Sequence, residues 1–211
     1  MSFFDFFRKG SKPSDTPAPS APPKPEHRSC VQDGNKTAPD GPDLPIPGAI
    51  TEIARIVTFG DETVLRETTA LANIKKYCAE HERWLADSML DPSTDPVRLQ
   101  WLALINILET HHYVCERDWK DEKEDFVYFF SNLKGVKAYN LTIDPDWFSA
   151  QGSIPEWCSI LKEKWSAQDC FAAVFDIDSD SYVLFPCSGS DFAKLQPLGK
   201  RFPEGFFIVE K

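Results

Sequence analysis

The chain has 211 residues, with 23 Lys and Arg against 33 Asp and Glu and a formal net charge of −10, a length that holds one ordinary domain and a remainder. So acidic a body repels phosphate backbones, which bind by releasing counterions from basic surfaces, and this argues against nucleic acid as a partner. No stretch approaches the roughly 18 apolar residues of a membrane-spanning helix. Six cysteines without a CxxC pair, in a chain that shows no secretory leader, point to buried thiols in a reducing cytoplasm.

The first 47 residues hold ten of the 17 prolines and equal numbers of basic and acidic residues, six each, so the whole −10 falls on residues 48–211. Phe3, Phe4, Phe6 and Phe7 share one arc of a short amphipathic helix, opposite Asp5, Arg8 and Lys9. Behind this tip the Pro- and Ser-rich stretch cannot build a core and is expected to be disordered. The predicted organisation is an amphipathic tip and disordered linker over 1–47, then a single globular domain over 48–211. Four phenylalanines are costly to leave in water, so the tip has three candidate docking partners: a membrane surface, weakly; another protein; or its own domain; the remaining reading is a disordered start with no role.

In chain order, Ile50, Ile53, Ala54 and Val57 recur at helical spacing up to Gly60. A second helical region starts near Asp61 and runs on through Trp84, Leu85 and Met89. Asp95 and Pro96 mark the start of a helix whose apolar residues lie on more than one face, which makes it central. "YVCERDW" (113–119) reads as a strand. Asp121 and Glu124 form a capping box ahead of Phe126, Phe130 and Leu133, and Gly135 ends that helix. A strand at 137–141 and a helix at 153–165 follow. Next come two strands (171–177 and 182–186), a short helix capped by Ser190, and a last strand over 205–211. The pattern predicts an α+β fold: helices first, then a mostly antiparallel sheet of about five strands packed with helices.

Asp176, Asp178 and Asp180 alternate between two apolar runs in "FAAVFDIDSDSYVLFP". An EF-hand loop counted from Asp176 needs glycine at its sixth position and glutamate at its twelfth, where Ser181 and Cys187 stand. The segment reads instead as a hairpin with a tight turn at Asp178–Ser181, Pro186 closing the second strand, and Asp176 and Asp178 facing water together.

"RDWKDEKEDFVYFF", "IPEWCSILKEKW", "AAVFDIDSDSYVLFP" and the closing "KLQPLGKRF" and "GFFIVEK" resemble, in that order, a bacterial family known as domain of unknown function 6630. The resemblance covers the domain from about Ile50 and none of the tail, and it implies no activity. The acidic hairpin followed by a capped helix is more distantly similar to the SUKH superfamily, many of whose members are immunity or regulatory proteins.

Nucleophile elbows and phosphate-binding glycine loops are absent, and nothing in the sequence asks for a cofactor. Cys78 with His81 and His111 with Cys115 could form a tetrahedral zinc site only if the two pairs met, and buried thiols with surface histidines are the simpler reading. Glu116, Asp118, Asp121 and Asp144 or Asp146 could line a catalytic cleft with Trp119 and Trp147, although such clusters are more often solvated faces or caps. Trp119, Lys120 and Asp121, with Asp176, Asp178, Asp180 and Tyr182, form the favoured candidate for a binding surface. The expected function is non-catalytic binding of a protein partner in a bacterial cytoplasm, of a regulatory or immunity-like kind. Its alternatives are a small-molecule enzyme using carboxylates or a metal, and a membrane-surface adaptor.

Overall fold

The computed structural model describes residues 44–209, so Phe3, Phe4, Phe6, Phe7 and the expectation of a disordered tail lie outside the described residues. Five helices come first: α1 (Ile46–Val57), α2 (Glu62–Thr69), α3 (Ile74–Glu80), α4 (Glu82–Asp87) and α5 (Pro96–Thr110). Then follow β1 (Cys115–Asp118), α6 (Lys123–Ser131), α7 (Lys134–Ala138), α8 (Ile154–Lys164), β2 (Cys170–Phe175), β3 (Ser181–Ser188), α9 (Gly189–Gly199) and β4 (Phe206–Ile208). Local chemistry explains many of these boundaries. Asp61 accepts the Thr63 N–H at 3.0 Å and Asp95 that of Arg98 at 3.0 Å, so both serve as N-caps. Ser153 and Glu156 cap each other's backbone at the start of α8.

The strands form one antiparallel sheet in the order β1-β3-β2-β4. Helices cover both faces, which is why β2 is apolar throughout rather than alternating. Phe171, Ala173 and Phe175 face a core built with α1 to α5 and α9, whereas Cys170, Ala172 and Val174 face a second core that includes residues of α6, α7 and α8. Trp101 anchors the first core, its ring 4.7 to 5.2 Å from those of Phe175, Phe202 and Phe206. Trp157 and Trp165 anchor the second. A fully buried aromatic contributes roughly 2–3 kcal/mol from its apolar area, and the α+β architecture rests on these two clusters.

The structure corrects the expected elements at several points. There are four strands among the described residues, because 137–141 is not a strand. The chain there leaves α7 through Asn140, whose positive φ of 53° lets the Leu141 N–H reach the Val136 carbonyl at 2.9 Å. Asp121 caps no helix: α6 starts from Glu122 without a side-chain cap, and Arg117 draws the Asp121 carboxylate to β1. Gly135 lies inside α7, where a Cβ would come within 2.7 Å of the Pro186 ring. Pro186 sits inside β3, not at its end. It lies two residues past Leu184, the last β3 residue that β1 pairs, so β1 asks no ladder bond of it. Ser188, not Ser190, caps α9 by accepting the Asp191 N–H at 3.2 Å. The helical region after Asp61 is broken at Ala70–Asn73 and again at His81.

Candidate functional site

β1 lies at an edge of the sheet and pairs only with β3, in a register that sets Arg117 opposite Tyr182 and Asp118 opposite Ser181. Three of its outward backbone groups are taken locally. The Glu116 N–H donates to Glu109 Oε1 at 3.3 Å, the Glu116 carbonyl accepts from the Arg117 guanidinium, and the Asp118 carbonyl accepts the Asp121 N–H at 2.9 Å. Side chains and a turn thus blunt the edge against a further strand. What this end of the sheet offers a partner is side chains.

Those side chains fall on two faces. Arg117 stacks 4.1 Å over the Phe129 ring, and its Nε lies 3.5 Å from Asp121 Oδ2. Asp121 is only 9% exposed, and its Oδ2 and the Arg117 Nη1 are buried without a hydrogen-bond partner. Burial pushes the Asp121 carboxyl up to about 6 against the pull of Arg117. On the other face Glu116 is pushed up to about 7, chiefly by burial, with the Glu109 charge adding and a Ser181 hydrogen bond opposing. Lys120 is exposed, with Nζ 4.6 Å over the Trp119 ring and its N–H bound to Asp118 Oδ1 at 2.8 Å. Trp119 and Tyr182 are half-buried, so Trp119 is neither core nor fully presented.

The β1 register brings Ser181, and with it the Asp176–Asp180 turn, to the same end of the sheet. Residues 49–203, spanning both cores, match the family described as a domain of unknown function, DUF6630. The chain belongs to that family. No match was found among curated proteins or among solved structures. In this member of the family the acidic turn is held from behind. Asp176 Oδ1 accepts the Asp178 N–H at 2.9 Å, Ser179 Oγ the Ser181 N–H at 3.0 Å, and the Trp101 indole donates to the Asp176 carbonyl at 2.7 Å. The reversal therefore starts at Asp176, two residues before the expected Asp178, and Asp178 adopts φ 53°. Arg98 bridges Asp178, at 3.8 Å, and Glu204, at 3.4 Å. Asp178 and Asp180 are exposed, Asp176 is half-buried, and Ile177 points into the core.

The weak metal candidates do not converge. Cys78 lies in the core on one face of the sheet and Cys115 in that on the other. His81 stacks on Tyr77 and bonds its carbonyl at 2.8 Å, and His111 bonds Glu67 at 2.9 Å. Among the described residues no group of three or more His, Cys, Asp or Glu could hold a metal ion. Asp144 is occupied in starting the Pro145–Trp147 turn, and Lys164 lies 5.5 Å over Trp147. A shallow depression of 380 Å³ lies at the start of α8, lined by Ser149, Gln151, Gly152, Glu156, Trp157 and neighbours; it includes none of Glu116, Asp118 or Asp121. Sequence reasoning missed Glu109, Arg117 and Phe129. Only the Arg117-to-Asp121 spacing carried a signal for them. Among the described residues no helix is long and apolar enough to cross a membrane.

Proposed function

We propose that this chain is a non-catalytic protein-interaction domain whose partner covers the β1 end of the sheet. Trp119, Lys120, Asp121 and Tyr182 would form the centre of that contact and the Asp178 and Asp180 carboxylates its acidic rim. One observation carries the reading. Aromatic rings lie under cations at this edge strand, Lys120 on Trp119 and Arg117 on Phe129, while Glu116 and Asp121, whose titration is displaced, do not line the depression at the start of α8. Catalysis needs acids converging on a cleft, whereas aromatic and arginine side chains at a surface are the composition of binding hot spots.

A regulatory or immunity-like role in a bacterial cytoplasm is the finer form of the proposal. It is supported by the SUKH-like pattern and by the five described cysteines, all buried free thiols. The test is co-purification from the native cell with the full chain beside a Trp119→Ala, Lys120→Glu, Tyr182→Ala variant of matched stability. A specific protein retained by the first and lost by the second is expected. Retention of the same protein by both, or of none by either, overturns the assignment.

A further inference from the structure

We propose that the aromatic tip of this chain, residues 3–9, docks on its own domain at the turn after α1, against Phe59 and Tyr139. The site is distinct from the β1 surface and does not depend on that reading.

Helix α1 ends with the Gly60 N–H bonded to the Arg55 carbonyl at 2.9 Å, an arrangement that places Phe59 in the left-handed region with φ 56°. Glycine normally fills that position because a Cβ there is strained. Here a phenylalanine occupies it and holds its ring 46% exposed. Strain and apolar exposure therefore fall on the same residue, as they do at Met89, and at Phe59 the exposed group is in addition an aromatic ring. The ring meets Tyr139 edge-on at 4.9 Å, and α7 brings Gly135, which has no side chain, beneath it. Tyr139 is fixed in turn by its hydroxyl, which donates to Asp191 Oδ2 at 2.7 Å. At the next residue the backbone is open: a Cβ added to Gly60 would meet nothing within 4 Å. The result is an edge-to-face aromatic pair whose Phe59 ring is half exposed, an arrangement that a further phenylalanine can extend.

Composition and reach favour the chain's own tip as the occupant. Phe3, Phe4, Phe6 and Phe7 supply the rings. Leu44 begins the described chain just ahead of α1, and Phe59 lies at the far end of that helix, roughly 20 Å away at about 1.5 Å per residue. The stretch from Lys9 to Leu44 can span up to roughly 120 Å at about 3.5 Å per residue, so reach is not limiting. A covalent tether supplies an effective concentration on the order of millimolar, at which a contact too weak to hold a free peptide is substantially occupied.

Replacing Phe4 with a benzophenone-bearing phenylalanine in the full chain, irradiating, and mapping the cross-linked peptides tests this. The expected result is a monomer-mass product joined to residues 58–60 or 135–139, with its yield falling at least five-fold in a Phe59→Ser background. Phe59→Gly, which relieves the backbone strain, should lower the yield equally while keeping the fold, as judged by the melting transition. Cross-links to another face, to a second copy of the chain, or only to lipid when phosphatidylglycerol vesicles are added would each overturn the proposal. So would a yield that neither substitution changes, or the absence of any product.

Discussion

Replacing Glu116 by Gln should make the protein more stable at pH 8 and leave it unchanged near pH 4. Glu116 is held half-buried at the β1 edge, with the Glu109 carboxylate on its N–H and Ser181 beside it, so its carboxyl titrates at about 7 instead of the ordinary 4.5. A carboxyl whose folded pKa is raised keeps its proton longer in the folded state, so folding stability falls as pH rises from about 4.5 to about 7. The difference between 4.5 and about 7, at roughly 1.4 kcal/mol per pH unit, sets a ceiling of about 3.5 kcal/mol, and residual exposure brings the expected penalty to about 1–3 kcal/mol. Glutamine keeps the shape and the hydrogen-bonding groups of the protonated acid and never acquires the charge. Urea unfolding of both proteins at pH 4, 6 and 8 measures the difference directly. Asp121, raised to about 6, and Glu204, also raised by burial, titrate in both proteins and cancel in the comparison. A stability difference that is the same at pH 4 and pH 8 would refute the account of Glu116 as a desolvated acid.

Met89, 69% exposed with φ 51° after α4, should give a protein about 0.5–1 kcal/mol more stable when replaced by glycine, as read from the denaturation midpoint. Gly135→Ala should cost about 1–3 kcal/mol, because its new methyl meets the rigid Pro186 ring at 2.7 Å; a neutral substitution would mean that α7 does not rest on β3 as described. Trp101→Phe leaves the Asp176 carbonyl without its indole donor and opens space among three phenylalanines, for a loss of about 2–4 kcal/mol in chemical unfolding. The hairpin turn in that variant should also show faster amide exchange than the rest of β2 and β3.

Much of the architecture was legible because its signals are local. Asp95 followed by Pro96 marks the start of α5 through donors that any helix leaves open. The apolar runs on either side of the acidic turn mark β2 and β3, and the missing glycine and glutamate remove the calcium reading without any coordinates. The errors came where another contact outbid the expected local pattern. Asp121 has the spacing of a cap, yet Arg117 takes its carboxylate into the β1 edge. "KAYNL" has strand-like composition, but its backbone is taken up by α7 and its end, where the Leu141 N–H bonds the Val136 carbonyl and Asn140 closes the short helix.

The candidate site was visible only in part for the same reason. Composition singled out Trp119, Lys120, Asp121 and Tyr182 as residue types suited to recognition, and the β1–β3 register does bring Tyr182 opposite Arg117, beside them. The displaced acidity of Glu116 was invisible because it arises from burial and from Glu109, which comes near only when α5 turns back into β1. The separation of Cys78 from Cys115 was equally hidden, since a sheet that lies between them exists only in three dimensions.

By itself, then, the sequence determined the helical beginning, the hairpin, the acidic charge and the family to which the chain belongs, all properties of neighbouring residues or of their order. Tertiary structure decided which acids lose their water, which rings stay exposed, and which edge groups are already occupied. Burial and electrostatics depend on what the folded chain brings within a few ångströms, and residues far apart in sequence supply most of it.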